Sequence, residues 1–215
     1  MSDMRYAVAI DTGGTFTDVT LFDRDDGRMW TAKTPSTPEN PSTGFMNGIA
    51  TALEQAALSP VDLAQVFHGT TVATNLILEG KGATVGLLTT AGFKHVLAIG
   101  RQDIPRRANL FAWIKPERPV PPERILEIPE RLDIDGNTLV ELDETAVRAA
   151  ARRFRERGVN AVAICFLNSF VDPCHEARAG EIVREEHPDA LVSLSSAGLR
   201  VFREYERSIA TVLNV

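Results

Sequence analysis

The chain begins with two short apolar segments, residues 6–10 and 19–22, on either side of a polar stretch that reads DTGGTFTD. Both segments are partly β-branched, so they predict two β-strands joined by a turn. A hairpin turn requires only a pair such as Asn-Gly or Asp-Gly. This stretch instead contains two glycines, three threonines and two aspartates. It carries more hydroxyl and carboxylate groups than a turn needs, which indicates a binding role.

The residue types in this stretch match the needs of phosphate and metal. Paired glycines allow the backbone to approach a ligand closely, and successive free N–H groups attract anions. Thr15 and Thr17 add hydroxyl donors, and a carboxylate at a strand end can hold a divalent cation through water, as in magnesium sites. We therefore interpret the stretch as a loop that binds phosphate and metal. The alternative is an ordinary Gly-Gly hairpin with polar flanks.

Composition limits the class of partner. The 215 residues suffice for one large or two small domains, and 44% hydrophobic with 24% charged residues is typical of globular proteins. Lys and Arg number 23 against 29 Asp and Glu, a net charge of −6, so neither nucleic acid nor membrane is an expected partner. Cys165 and Cys174 are the only cysteines, and no signal-like or membrane-length apolar run occurs. We expect a cytoplasmic protein.

Strand and helix patterns alternate along the rest of the chain, which predicts an α/β fold. Further strands are expected at residues 28–33, 66–68, 83–89, 125–132, 138–142, 159–167 and 191–194. Helices are expected at 42–57, from Pro60, at 72–79, 92–99, 144–157, 173–187 and 202–215.

Residues 100–124 have a different composition. They contain five prolines and six basic residues against three acidic ones, without helical or strand periodicity. So long an irregular stretch in a compact domain is usually a functional lid or disordered. A basic lid would suit an anionic ligand, and a solvated connection remains the alternative.

A second polar constellation, HGTTVATN, occupies residues 68–75 at the end of a predicted strand and the start of a predicted helix. Free amides at a helix N-terminus attract anions, and threonine hydroxyls add donors. One Thr or Asn suffices to cap a helix, so the surplus suggests a ligand. His68 taken alone is more often a hydrogen-bonded core residue than a catalytic group.

Several familiar motifs are absent from the sequence. No G-x-x-x-x-G-K-[ST] occurs, so the chain is not a P-loop NTPase. Residues 80–86 approach G-x-G-x-x-G, but with one residue too many and with the strand after the glycines. The Asp-Thr-Gly triplet also occurs in aspartic proteases, which are nearly all-β, and the helical periodicities argue against that class.

Four stretches, in this order, resemble the N-terminal region of the hydantoinase A / 5-oxoprolinase family, which is related to the acetone carboxylase β subunit: IDTGGTFTD, HGTTVATN, LLTTAGFKHVLAIGR and FREYERSIATVLNV. The resemblance implies a sugar-kinase/Hsp70/actin-like (ribonuclease H-like) α/β fold with a mixed sheet and flanking helices. Only its first half would be present, with a small α/β subdomain. The implied domains are residues 5–200, including the 100–124 loop, and 201–215 as the truncated start of the next family domain.

The resemblance also implies an activity. Family members use ATP and Mg²⁺ or Mn²⁺ to phosphorylate the carbonyl of a cyclic amide such as 5-oxoproline or a hydantoin, so that water opens the ring. The implied partner is a hydantoinase B-type subunit, in an oligomer. Alternatives are a subunit of an ATP-dependent ketone carboxylase and a non-catalytic assembly module. Since family members are much longer and no second phosphate loop is recognisable, we expect the chain alone to bind nucleotide weakly.

Roles for individual residues follow from the same resemblance. Catalytic roles are implied for Asp11, His68 and Thr70, and metal binding for Asp11 and Asp18. Arg101 is a weaker candidate for an anionic substrate group, and Glu204 and Arg207 are expected to be surface or packing charges. Contacts to the nucleotide are implied for Thr12, Gly13, Gly14, Thr15, Thr17, Gly69, Thr71 and Asn75.

Overall fold

The computed structural model describes residues 5–37, 39–80, 82–101, 104–105, 109, 111–114 and 117–215. The chain divides into two compact units, Met1–Gly82 and Ala83–Val215. The second unit is longer than the first.

Unit 1 contains a four-stranded mixed sheet with the strand order β3-β2-β1-β4. β1, β2 and β3 form an antiparallel meander, and β4 pairs with β1 in parallel. The elements of unit 1 are β1 (Tyr6–Thr12), β2 (Phe16–Asp23), β3 (Met29–Pro35), α1 (Pro41–Ala56), β4 (Leu63–Thr70) and α2 (Val72–Glu79).

One face of this sheet is buried by α1. The core of unit 1 consists of apolar residues from β1, β2, β3 and α1, including Val8, Ile10 and Ile49. Gly48 permits the close approach of helix and sheet, because a Cβ there would lie 2.5 Å from Val19 Cγ2. Alternate residues of β1 and β2, among them Asp11, are exposed on the sheet face away from this core.

The predicted helix from Pro60 is wrong beyond its first turn. Residues Pro60–Asp62 form one 3₁₀ turn, in which the backbone N–H of Ser59 donates to Asp62 Oδ2 at 2.8 Å. The chain then enters β4, which is longer than the predicted strand because it pairs with β1 along its whole length. Pairing with a strand distant in sequence here overrides the local helical pattern.

Unit 2 contains a four-stranded parallel sheet with the order β10-β9-β5-β6 and a separate two-stranded sheet of β7 and β8. Its elements are β5 (Val85–Thr90), α3 (Val96–Ile99), β6 (Ile125–Ile128), β7 (Arg131–Leu132), β8 (Thr138–Val140), α4 (Glu144–Glu156), β9 (Ala161–Cys165), α5 (Cys174–Glu186), β10 (Leu191–Leu194), α6 (Ser195–Gly198) and α7 (Glu204–Leu213).

The two central strands of unit 2, β5 and β9, are buried throughout, as expected for a parallel sheet covered on both faces. α4 and α5 contribute to one core cluster, and Val212 of α7 belongs to another. The predicted strand 125–132 is divided between two sheets, because β6 pairs with β5 and β7 pairs with β8. The predicted helix 92–99 shortens to the four residues of α3.

The proline- and arginine-rich stretch is described only in part. Asp103, Arg106, Arg107, Lys115 and Pro116 lie outside the described residues, so the proposed lid stays a prediction. No helix in the part of the chain that the structure describes is long and apolar enough to cross a membrane.

Candidate functional site

Strand pairing in unit 1 places the two polar constellations side by side. Asp11 lies opposite Asp18 across the β1–β2 hairpin, and Thr12 lies opposite Thr17. On the other side of β1, Asp11 pairs in register with Gly69 of β4. The segments 10–18 and 68–75, distant in sequence, therefore meet at one end of the sheet.

An open depression of about 370 Å³ lies beside this end of the sheet. Asp11 and Asp18 are both exposed and both line it. The remaining lining residues are Ala9, Ile10, Thr20, Phe67, His68 and Gly69. The two aspartates that the sequence predicted as metal ligands thus border the same accessible space.

The two carboxylates differ in their partners. Lys33 of β3 lies with its Nζ 3.1 Å from Asp18 Oδ1. The Asp11 carboxylate has no hydrogen-bond or ion-pair partner among the described residues. Within the same residues, no group of three or more His, Cys, Asp or Glu side chains could hold a metal ion. A cation at Asp11 would therefore need water or ligand oxygens to complete its shell, as Mg²⁺ commonly does.

The turn between β1 and β2 leaves two backbone donors unused. Gly13 N–H donates to Phe16 O at 3.0 Å, but the N–H groups of Gly14 and Thr15 have no acceptor in the described chain. Neither glycine has a positive φ. Gly14 instead lies close to α2, because a Cβ there would be 3.1 Å from Asn75 Nδ2 and would press on that side chain. The two free amides and Asn75 suit an anion.

Thr12 is buried, whereas His68 is exposed and lines the depression, and the two side chains contact each other. His68 Nε2 is 3.1 Å from Thr12 Oγ1, and its ring meets the Phe45 ring of α1 edge-on with centroids 5.0 Å apart. Thr70 Oγ1 and the Thr71 N–H both donate to Thr12 O, at 3.2 and 3.1 Å. These contacts hold β4 and the start of α2 against β1, and the catalytic roles of His68 and Thr70 stay predictions.

Thr17 is linked to the turn through Ser36. It is fully buried, and its Oγ1 lies 3.1 Å from Ser36 Oγ, which donates to Gly13 O at 2.8 Å. Neither Ser36 nor Lys33 was predicted from the sequence. Lys33 could have been found, because the antiparallel register of β2 and β3 about their turn places it opposite Asp18. No local sequence signal marks Ser36.

The charged residues Arg101 and Arg207 of the second unit contact other residues of that unit. Arg101 pairs with Glu206. Burial acts to raise the pKa of Glu206, but the hydrogen bonds from Arg101 and the backbone, together with the positive charges of Arg101 and Arg203, outweigh burial and lower the pKa. Arg207 is fully buried and donates to Ser169 Oγ at 2.5 Å and to Phe166 O at 2.6 Å. The expectation of a packing charge is thus met by Arg207, while the substrate role of Arg101 stays a prediction.

Comparison with known proteins decides the family. The model of the hydantoinase/oxoprolinase N-terminal region matches residues 7–187. The chain belongs to this family. It is 35% identical over 224 residues to the acetophenone carboxylase gamma subunit of Aromatoleum aromaticum, covering 97% of this chain and 30% of the relative. It is 37% identical over 221 residues to the caprolactamase subunit alpha of Pseudomonas jessenii, covering 100% of this chain and 31% of the relative.

The fold is shared with a solved member of the family. The crystal structure of ATP-dependent caprolactamase from Pseudomonas jessenii superposes with a TM-score of 0.82 at 36% identity, over 97% of this chain and 31% of that one. This likeness confirms the predicted α/β class with a mixed sheet and flanking helices. The chain spans about a third of the length of the two relatives named above.

Proposed function

We propose that this chain is the N-terminal part of an ATP-dependent hydrolase of cyclic amides, in which the β1–β2 hairpin holds the nucleotide's phosphates. One observation carries the proposal: the Asp11 carboxylate beside the open depression, and the amides of Gly14 and Thr15 in the adjoining turn, have no partner among the described residues. Free amides are donors for phosphate oxygens, and an unpaired carboxylate is a ligand for a divalent cation.

The residues present fit a nucleotide with its cation. Gly14, Thr15 and Asn75 would contact phosphate oxygens, and Asp11 would hold Mg²⁺ or Mn²⁺ directly or through water. When bound, ATP supplies the phosphoryl group that activates the amide carbonyl, with the cation offsetting its charge.

The contribution of the chain's own residues is electrostatic and positional. An amide resists hydrolysis because resonance stabilises its carbonyl and nitrogen leaves poorly. Donors fixed before reaction stabilise charge without reorganising, which is how Gly14 and Thr15 would act. Thr12, Thr17 and His68 would keep the hairpin in place through the contacts beneath it.

A cyclic amide is the preferred substrate class because a caprolactamase, named as ATP-dependent, shares 36% identity and the fold. The acetophenone carboxylase relative at 35% identity favours the second candidate, a subunit of an ATP-dependent ketone carboxylase. Since both relatives are named as subunits, the proposal includes a partner subunit of the hydantoinase B type in a cytoplasmic oligomer.

The phosphate-holding role is tested by titrating ATP with Mg²⁺ into wild type and Asp11→Ala by calorimetry. We expect the variant to bind at least about tenfold more weakly, since interactions with charged groups contribute about 1.5–3 kcal/mol. Asp26→Ala is the matched control, because Asp26 is an exposed carboxylate on the β2–β3 turn. Equal affinity of wild type and Asp11→Ala would refute the role.

The substrate class is tested on the complete enzyme. Phosphate release from ATP that increases with 5-oxoproline, a hydantoin or ε-caprolactam supports the cyclic-amide hydrolase. An increase only with a ketone and bicarbonate supports the carboxylase. No response to either class favours a non-catalytic assembly module.

A further inference from the structure

The ion pair beside the hairpin involves a lysine with no part in the proposed site so far. Lys33 of β3 lies directly opposite Asp18 of β2. Its Nζ is 3.1 Å from Asp18 Oδ1 and 3.4 Å from Oδ2, and the two side chains are 58% and 57% exposed. Lys33 is therefore the counter-ion of Asp18, one of the two predicted metal ligands.

The charges of Asp11, Asp18 and Lys33 beside the hairpin do not sum to zero. Asp11 and Asp18 are in register across the hairpin, where like charges repel. Lys33 neutralises Asp18 and leaves one negative charge, that of Asp11. A pair this exposed contributes little free energy, so a divalent cation can separate it.

The lysine is also close to the turn that carries the free amides. Its Nζ lies 5.0 Å from the ring centroid of Phe16, the residue that directly follows Thr15. A lysine has a flexible four-carbon stem and binds phosphate as a point charge. Rotation about the bonds of this stem would move the ammonium from Asp18 toward a phosphate held at Gly14 and Thr15.

We propose that Lys33 is a positioning residue that exchanges partners when nucleotide and metal bind. Without ligand its ammonium pairs with Asp18; with ligand the divalent cation takes the Asp18 carboxylate and the ammonium moves to a phosphate oxygen. This inference rests on the proposed function. It makes metal and phosphate bind cooperatively, because a metal ion alone must displace Lys33 without a new partner for the ammonium.

Lys33→Met should change the affinities for metal and for nucleotide in opposite directions. Mn²⁺ alone should bind more tightly to the variant, by up to about fivefold, because the competing charge of an exposed pair is gone. ATP with Mg²⁺ should bind about tenfold more weakly, because one charged contact to phosphate is lost. Mn²⁺ binding is measured by electron paramagnetic resonance and nucleotide binding by calorimetry, and Lys33→Arg should recover most of the nucleotide affinity.

Arg28→Met is the matched control for this variant. Arg28 pairs with Asp26 at 2.6 Å and lies 5.7 Å from the Trp30 ring, the same combination of exposed ion pair and aromatic contact, in the connection between β2 and β3. We expect Arg28→Met to leave both affinities unchanged. Lys33→Met affinities that match wild type, or that both shift in one direction, would overturn the exchange.

The Asp11→Ala variant distinguishes failure of the Lys33 role from failure of the proposed function. If Asp11→Ala weakens nucleotide binding while Lys33→Met binds both ligands like wild type, only the role of Lys33 is lost. If the wild-type chain binds no ATP at millimolar concentration, or Asp11→Ala binds it normally, the proposed function is lost as well.

Discussion

At the scale of single residues, the carboxylates near the ends of β1 and β2 differ in burial and in hydrogen-bond partners. Asp11 and Asp18 remain exposed at one end of the β1–β2 hairpin, whereas Asp23 at the other end of β2 is fully buried. Asp23 accepts from Arg5 at 2.8 Å and from the Asp25 N–H at 3.0 Å. These bonds satisfy the charge, so Asp23 is a structural carboxylate and Asp11 is available to a ligand.

Asp23 makes stability depend on pH in acid. The hydrogen bond from Arg5 lowers the pKa of Asp23 to about 2, against burial, which acts to raise it. Because the folded-state pKa is below the unfolded value of about 3.9, the stabilisation is complete above pH 4. It is lost as the pH falls from 4 to 2. We expect Asp23→Asn to flatten the fall in melting temperature over that interval.

The comparison is made by thermal melts of wild type and Asp23→Asn at several pH values between 2 and 7. Asp26→Asn, in the same connection but 40% exposed, should melt with the pH dependence of wild type. A wild-type profile in the Asp23→Asn variant would show that the Arg5 pair contributes nothing to the acid response.

At the scale of elements, one buried cluster joins the ends of β9 and β10 to α7. Glu176 of α5 accepts from Ser169 Oγ at 2.7 Å and from Ser195 Oγ at 2.6 Å. Arg207 of α7 donates to the same two hydroxyls, at 2.5 and 3.3 Å. A buried carboxylate and a buried guanidinium thus compensate each other through shared serines.

Removal of the guanidinium should destabilise the chain strongly. Arg207→Met leaves the charge of Glu176 without its counterpart, a change that costs about 3–5 kcal/mol in buried pairs. Arg200→Met is the control, because Arg200 is exposed and, among the described residues, donates to the carbonyls of Phe170 and Val171 alone. Urea unfolding of both variants provides the free energies.

A double variant tests the proposed coupling within the cluster. Glu176→Gln with Arg207→Met should be more stable than the sum of the two single changes predicts, because neither charge remains unpaired. Additive losses would mean that the two charges do not compensate each other.

At the scale of the whole molecule, the described site residues all lie in the first of two units, each with its own core. Ligand binding should therefore protect unit 1 selectively. We expect saturating ATP with Mg²⁺ to slow amide hydrogen exchange at Gly14 and Thr15, which have no intramolecular acceptor in the described chain. Amides of β9 in unit 2 should exchange at an unchanged rate.

Exchange is followed residue by residue by NMR, with and without nucleotide. Asp11→Ala under the same conditions should show less added protection at Gly14 and Thr15, because it binds the nucleotide more weakly. Protection that appears first in β9 would place the binding site in the second unit and contradict the hairpin site.

The sequence alone predicted the elements whose signals are local. The hairpin, α1, α2 with its end at Gly80, and α4 capped by Asp143 agree with the structure, since spacing, caps and glycines act within a few residues. The two polar constellations were found in the same way.

Strand pairing and burial depend on residues far apart in the chain, and these the tertiary structure alone revealed. The division of 125–132 between two sheets, the burial of Arg207 and the contact of His68 with Thr12 have no local signal. The pairing of Lys33 with Asp18, and the absence of a partner for Asp11 among the described residues, arise from the register of three strands. Register is decided by cross-strand contacts, because a shift of one residue moves every side chain to the opposite face.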